Sequence, residues 1–147
     1  MAAVRVANAV WTGDLMSGSG VVSASTSGAF TDMGVSWAAR TEESNGKTSP
    51  EELVAAAHAS CFCMALSAGL GRAGTPPEKL EVSATVTFEQ VEGGFKVASS
   101  ALAVKGTVPG IDAAAFTAAA EGAKDGCPIS GALKGNVELS VEATLES

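Results

Sequence analysis

The sequence has little positive charge, no tyrosine and only one histidine. Nine Lys and Arg residues stand against sixteen Asp and Glu, which gives a formal net charge of −7 over 147 residues. So few dispersed cations argue against a surface that follows the phosphates of nucleic acid or of an anionic membrane. Small molecules and other proteins are the expected partners, with no nucleic acid and no membrane among them.

The N-terminal segment MAAVRVANAVWTGD lacks the apolar run and small-residue cleavage site of a secretory signal. We therefore expect a cytoplasmic protein, whose thiols stay reduced. Residues 1–147 are expected to form a single domain, long enough to hold a core without a metal or a disulfide.

Residues 53–70 carry no formal charge and are about as long as a membrane span. Their Ala, Ser, Cys and Gly content is weakly hydrophobic for a helix that faces lipid. It is typical of a buried, tightly packed helix. We interpret this segment as a core helix.

Short β-prone segments separated by glycines fill about the first forty residues and predict three strands, at residues 4–11, 20–25 and 35–40. The motif SPEEL then predicts a helix start, with Ser49 as N-cap, Pro50 at the first helical position and Glu52 completing a capping box. This helix is expected to end at Gly69 or Gly71.

Alternating apolar and polar residues predict two further strands at residues 80–89 and 95–108, the second of them bent, and a closing strand at residues 137–145. Asp112 is placed to cap a second helix that Gly126 ends, and Pro128 begins a short third one. The resulting order, βββ-α-ββ-α-α-β, indicates an α+β fold.

Two of the three cysteines lie in the long helix, within AAAHASCFCMALSAG. Cys61 and Cys63 are two residues apart, about 200° around the helix axis, so they face different ways and cannot bridge each other. Cys127 is expected at the N-cap of the helix PISGALK, where free backbone N–H groups lower a thiol pKa. Burial would raise the pKa of Cys61 unless a cation reaches it.

Few cations are available to Cys61: His58, one turn earlier, and the three arginines at positions 5, 40 and 72. Arg40 precedes the capped helix and is placed to lie over it, where Glu51 would hold the guanidinium. Glu51 and Cys61 are separated by ten helical residues, about 15 Å. One arginine would therefore reach both only by stretching, or with part of the site supplied by a second subunit.

Local features leave other interpretations open. Cys61 and Cys127 are either reactive thiols or small apolar core residues, and Cys63 fits an inert core residue. His58 fits a hydrogen-bonded core histidine better than a base, and Glu51 would also suit a first-turn carboxylate at the helix dipole. A zinc site formed by the three cysteines and His58 is disfavoured, because opposed helix faces do not converge on one tetrahedron.

Four stretches of the sequence closely resemble the OsmC/Ohr family of osmotically inducible and organic hydroperoxide resistance proteins, nearer its OsmC branch. They are RTEESNGKT, SPEELVAAAHASCFCMALS, VPGIDAAAF and AKDGCPISGALKG. The resemblance extends over nearly the whole chain. It implies an OsmC-like α+β fold in which curved, largely antiparallel sheets wrap around long central helices of an intertwined homodimer.

The resemblance implies a cofactor-free thiol peroxidase that reduces organic hydroperoxides, with hydrogen peroxide as a second substrate, in oxidative or osmotic stress. Cys61 matches the peroxidatic thiol, Cys127 the resolving thiol, Arg40 the arginine that polarises the thiolate, and Glu51 the acid that orients this arginine. A Cys61 sulfenic acid would condense to a Cys61–Cys127 disulfide, which an external dithiol such as a dihydrolipoyl protein would reduce.

Two other functions compete with this one. A non-catalytic redox or ligand-binding module would hold an apolar molecule in the dimer cavity, and its binding would survive loss of the cysteines. A disulfide-transfer protein would react through Cys127 alone.

Overall fold

The computed structural model describes residues 1–146, which divide into two compact units, residues 1–53 and 54–146. Each unit contains one three-stranded sheet together with helical residues. This mixture of sheets and helices confirms the predicted α+β class. A single domain over residues 1–147 stays a prediction.

The sheet of the first unit is antiparallel, in the order β1-β2-β3. Its strands are β1 (Asn8–Thr12), β2 (Ser19–Ser23) and β3 (Met33–Val35). The first two predicted strands are present, but they are shorter than expected and displaced by a few residues, and the third overlaps β3 at Val35 only. Every residue of β1 is exposed.

The predicted third strand is wrong beyond Val35, because residues 37–41 form a short helix, α1 (Trp37–Thr41). Ser36 is extended, and its hydroxyl accepts a hydrogen bond from the backbone N–H of Ala39 at 3.1 Å. A serine N-cap followed by two good helix formers, Ala38 and Ala39, outweighs the weak strand pattern. Arg40 therefore extends from a helix and not from the end of a strand.

The long helix α2 (Pro50–Arg72) begins as predicted. The Ser49 hydroxyl accepts a hydrogen bond from the Glu52 backbone N–H at 3.1 Å. The Glu52 carboxylate accepts from the Thr48 hydroxyl at 2.7 Å, instead of turning back to the N-cap backbone as a full capping box requires. The helix also continues through Gly69 and Gly71, its two expected end points.

One face of α2 is buried, by residues spaced four apart: His58, Phe62, Leu66 and Leu70. The helix is long and apolar enough to cross a membrane, with a mean hydropathy of 1.7 over its most apolar 18-residue window. Core helices of water-soluble proteins pass the same length and composition test. Only 22% of that window is buried in the single chain, so the core-helix prediction holds for one face of α2 only.

The sheet of the second unit has the order β4-β5-β6. Its strands are β4 (Lys79–Val91), β5 (Gly94–Thr107) and β6 (Glu138–Leu145). β5 pairs antiparallel with β4 and parallel with β6, so three of the four strand pairings in the described residues are antiparallel. The predicted alternation is confirmed on β4 and β6, and the β4–β5 register shifts between Thr87 and Phe88.

Two helices of the second unit precede β6: α3 (Ala113–Gly126) and α4 (Pro128–Leu133). The Asp112 carboxylate caps α3 by accepting from the Ala115 backbone N–H at 2.8 Å, as predicted. Phe116 of α3 packs into a core with the buried face of α2 and the inward residues of β5. Ala120 and Ala123 of α3 belong to the same core, which places the end of α3, and Cys127 directly after it, beside α2.

Candidate active site

Cys61 of α2 and Cys127 are in contact through their side chains, which are hydrogen-bonded to each other. Cys127 is 1% exposed, Cys61 is partly exposed, and both are free thiols. Cys127 closes α3 and is the N-cap residue of α4. The chain turn between these two helices therefore brings together two thiols that are 66 residues apart in the sequence.

The two thiols have opposite acidities. Burial raises the pKa of Cys61, and its hydrogen bond to Cys127 raises it further. Burial also opposes ionisation of Cys127, but hydrogen bonds from the Cys61 thiol, from the backbone of Ser130 and Ile129 and from the Ser130 hydroxyl lower its pKa overall. Both directions agree with the sequence analysis. Of the two thiols, Cys127 is therefore the one that loses its proton more readily.

His58 is fully buried one turn before Cys61. Its Nδ1 lies 2.6 Å from the Ser100 hydroxyl of β5, and its Nε2 lies 2.8 Å from the Ser130 hydroxyl of α4. Burial lowers the pKa of His58, so the ring is neutral and is not the cation that Cys61 needs. The interpretation as a hydrogen-bonded core histidine is confirmed.

Arg40 and Glu51 form a two-pronged ion pair in the first unit. Arg40 Nε and Nη2 each donate to one carboxylate oxygen of Glu51 at 2.9 Å. The Glu51 side chain is 9% exposed, and the Arg40 guanidinium lies 6.0 Å from the centre of the Trp37 ring. Such a fork fixes the plane of the guanidinium, so the prediction that Glu51 holds Arg40 is confirmed.

Two other features from the sequence analysis are Cys63 and the alternative zinc site. Cys63 is partly exposed beside Met64, Ser67 and Leu80, and burial raises its pKa. His58, a supposed ligand of the alternative zinc site, has a serine on each ring nitrogen. Within residues 1–146, no three His, Cys, Asp or Glu side chains are grouped as metal ligands.

Comparison with known sequences identifies the family. The OsmC-like protein family matches residues 42–142 of this chain. The chain belongs to the OsmC-like protein family. Peroxiredoxin OsmC of Escherichia coli K12 is 42% identical over 132 residues, which cover 90% of this chain and 91% of that protein.

An organic hydroperoxide resistance protein of Xanthomonas axonopodis pv. citri is more distant, at 30% identity over 64% of this chain and 65% of its own length. These two identities agree with the expected placement nearer the OsmC branch. The fold is also that of the family: the crystal structure of the organic hydroperoxide resistance protein OhrB of Bacillus subtilis matches 95% of this OsmC-like chain and 98% of its own, with a TM-score of 0.75 and 25% identity.

The sequence analysis missed the two serines that bind His58. Ser100 occupies the inward row of β5, where its neighbours Leu102 and Val104 are buried apolar residues. A single polar residue in an apolar row signals a buried hydrogen-bond partner. Ser130 follows Cys127 by three residues, the spacing at which a helix N-cap meets the first turn.

Proposed function

We propose that this OsmC-like protein reduces organic hydroperoxides by a two-cysteine cycle that protects against oxidative stress. Relatives named for peroxiredoxin and organic hydroperoxide resistance activity support a peroxidase that detoxifies hydroperoxides. The observation that carries the two-cysteine cycle is the direct contact between Cys61, whose thiol pKa is raised, and Cys127, whose thiol pKa is lowered. Hydrogen peroxide is proposed as a second substrate.

In the first step the proton of Cys61 moves to the Cys127 thiolate, and the Cys61 thiolate so formed attacks the terminal peroxide oxygen. The O–O bond breaks, Cys61 becomes a sulfenic acid, and the departing alkoxide takes the proton from Cys127 to leave as an alcohol. Cys127 is again a thiolate. It attacks the Cys61 sulfur, an S–S bond replaces the S–O bond, and the released hydroxide takes a proton from solvent to become water. A dithiol, such as a dihydrolipoyl protein, reduces the disulfide.

Arg40, held by Glu51, is proposed to supply the positive charge that this first step needs. Because burial raises the pKa of Cys61, its thiolate requires a cation. The Arg40 guanidinium, held by both Glu51 oxygens, is proposed to stabilise the Cys61 thiolate and the charge that develops on the peroxide.

We also propose that the protein works as a cytoplasmic homodimer. The apolar α2 helix is mostly uncovered in one chain, and β1 exposes Val10 and Trp11. Small residues on the uncovered face, such as Ala56 and Ala57, allow another helix to approach closely. A second copy of this chain is the proposed cover. Three free thiols suit the reducing cytoplasm.

The function is tested with the reduced protein, cumene hydroperoxide and a dithiol, by following peroxide consumption. Cys61→Ser is expected to abolish turnover. Cys127→Ser should complete one turnover and stop at a sulfenic acid that a dimedone probe traps. Cys63→Ser, the matched control in the same helix, should keep full activity.

Mass spectrometry after one equivalent of peroxide should find the Cys61–Cys127 bridge. Full turnover by Cys61→Ser, or a bridge that contains Cys63, would contradict the proposed cycle. Reaction of Cys127 with protein disulfides in the absence of any peroxide consumption would favour the disulfide-transfer function instead.

A further inference from the structure

The buried histidine has no part in the two-cysteine cycle, yet it is linked to one of its thiols. His58 Nε2 is 2.8 Å from the Ser130 hydroxyl, and that hydroxyl is hydrogen-bonded to the Cys127 sulfur. Ser100, His58 and Ser130 are each no more than 2% exposed. A continuous line of hydrogen bonds therefore runs from β5 through α2 to the sulfur at the start of α4.

Ionisation of Cys127 sets the direction of this line. A thiolate only accepts hydrogen bonds, so the single hydroxyl hydrogen of Ser130 must point to the sulfur. The Ser130 oxygen then accepts from His58, which requires the hydrogen of the neutral ring to be on Nε2. Nδ1 is left as an acceptor, and the Ser100 hydroxyl donates to it. Every side chain in the line is satisfied in this arrangement.

We propose that His58 and Ser130 are positioning residues for the resolving step, in which His58 donates to Ser130 and so commits the Ser130 hydroxyl hydrogen to the Cys127 thiolate. This inference rests on the proposed function for its kinetic consequence, because it concerns the step in which Cys127 displaces hydroxide from the Cys61 sulfenic acid. Its other part, the stabilisation of the Cys127 thiolate by Ser130, does not depend on any reaction with peroxide.

This role requires a hydrogen on Nε2 of His58, which bonds to Ser130. A protonated ring would donate to both serines, but it would place a positive charge in a buried site where its hydrogen-bond partners are two neutral hydroxyls. An apolar side chain at this position would leave Ser130 without its donor. The Ser130 oxygen would then be a buried acceptor without a partner, and its hydroxyl would be free to rotate away from the sulfur.

The first experiment uses no peroxide. In a Cys61→Ser, Cys63→Ser background, Cys127 is the only thiol, so the ultraviolet absorbance of its thiolate is titrated directly. Ser130→Ala in this background should move the midpoint up by about one pH unit, the effect of losing one hydrogen bond to a charged group. His58→Leu should move it in the same direction, and His58→Gln, which can still donate to Ser130, should recover most of the shift.

The second experiment measures the two chemical steps separately in proteins that keep all three cysteines. Rapid quenching, thiol blocking and mass spectrometry give the rate of Cys61 oxidation and the rate of disulfide closure. In Ser130→Ala the oxidation rate should change less than about twofold. Closure near neutral pH should slow about three- to tenfold, because the smaller thiolate fraction is partly offset by a more nucleophilic sulfur.

Ser60→Ala is the matched control. Ser60 is an exposed serine of α2, the helix that carries His58, and its hydroxyl donates to the backbone carbonyls of Ala56 and Ala57. Its substitution should leave the titration midpoint and both rates unchanged. Circular dichroism of each variant checks that the helices are intact.

The outcomes separate the two proposals. If wild-type Cys61 is not oxidised by peroxide, the proposed function fails, while the thiolate titration still decides whether Ser130 and His58 act on Cys127. If the midpoint in Ser130→Ala equals that of the Ser60→Ala control, this inference is overturned. It is also overturned if closure slows in His58→Leu with no shift in its pH midpoint and no recovery in His58→Gln, because that pattern indicates a packing role only.

Discussion

At the scale of single residues, the thiol with the lower pKa and the thiol proposed to attack the peroxide belong to different cysteines. Cys127 holds the lowered thiol pKa, while Cys61 is the proposed site of attack and has a raised one. Ordinary burial explains the raised value, and backbone and hydroxyl donors at the start of α4 explain the lowered one. In the proposed cycle the more acidic thiol is thus the resolving one, and Arg40 is the residue proposed to favour ionisation of Cys61.

A first prediction concerns the fork between Arg40 and Glu51. Arg40→Lys keeps the positive charge but replaces two parallel hydrogen bonds by a single ammonium contact. We expect the rate of Cys61 oxidation to fall at least tenfold, because the cation is no longer held in one orientation. Stopped-flow oxidation with cumene hydroperoxide measures this rate.

Arg72→Lys, at the other end of α2, serves as the control for the same change of residue type and should be close to wild type. An Arg40→Lys protein with the wild-type oxidation rate would mean that charge alone matters at this position, or that Arg40 is not part of the site.

A second prediction follows from the neutral state of His58, the only histidine in the chain. Its pKa is lowered by burial from an ordinary value of 6.5. Below that value the unfolded chain binds a proton that the folded chain does not, so stability is lost as the pH falls. The slope due to His58 cannot exceed about 1.4 kcal/mol per pH unit.

Urea unfolding at about pH 7.5 and about pH 5.5 checks this slope in wild type and in His58→Gln. The variant should be less stable near neutral pH, since Gln fills the ring cavity incompletely. It should also lose less stability on acidification. Equal losses in the two proteins would show that His58 is protonated in the fold.

At the scale of helices and strands, the sequence predicted most starts and failed at two places. The SPEEL motif, Asp112 and Pro128 each predicted a helix start correctly, because capping is local chemistry that a few residues contain. The end of α2 was misplaced, since Gly69 and Gly71 only weaken a helix that packing sustains. The segment from Ser36 to Arg40 was misassigned because its pattern fits either a strand or a short helix.

A third prediction concerns the contact between α3 and β5. A Cβ added to Gly106 would lie 2.4 Å from Cζ and 2.7 Å from Cε1 of the buried Phe116 ring. The ring is fully enclosed in the core and cannot move away without opening a gap. Gly106→Ala should therefore destabilise the protein by about 1–3 kcal/mol.

Gly122→Ala, at an exposed position of the helix that carries Phe116, offers a comparison of opposite sign. Gly122 lies in the middle of α3, and an added Cβ would meet nothing within 4 Å. We expect this change to stabilise the protein by up to about 1 kcal/mol through helix propensity. Denaturant unfolding of both variants measures the two effects, and a neutral Gly106→Ala would show that the α3–β5 contact is loose.

At the scale of the whole molecule, the family resemblance predicted the contact between the cysteines, which local patterns in the sequence did not. The cysteine contact could not be derived from periodicity, because nothing local relates residues 66 apart, and the resemblance alone placed Cys61 with Cys127. The resemblance did not predict the Ser100–His58–Ser130 line, since it depends on which side chains the turn between α3 and α4 brings to α2. The surface left uncovered on α2 is also a property of the folded chain and not of its composition.

A final prediction tests what covers that surface. Met64 is 71% exposed on α2, and in the proposed homodimer it is enclosed by the second copy. Met64→Lys would bury an ammonium group there, at a cost that exceeds what one apolar contact contributes. Light scattering coupled to size exclusion should find the wild type near twice its 14.5 kDa chain mass and the variant near that of one chain.

Val91→Lys changes another exposed apolar residue, at the end of β4, and should leave the mass of the assembly unchanged. The circular dichroism of Met64→Lys should stay helical, because Met64 is not among the residues that form the core of the chain. A Met64→Lys protein that remains dimeric would place the interface elsewhere. A wild type that is monomeric in solution but binds to lipid vesicles through this face would replace the second copy by a membrane as its cover.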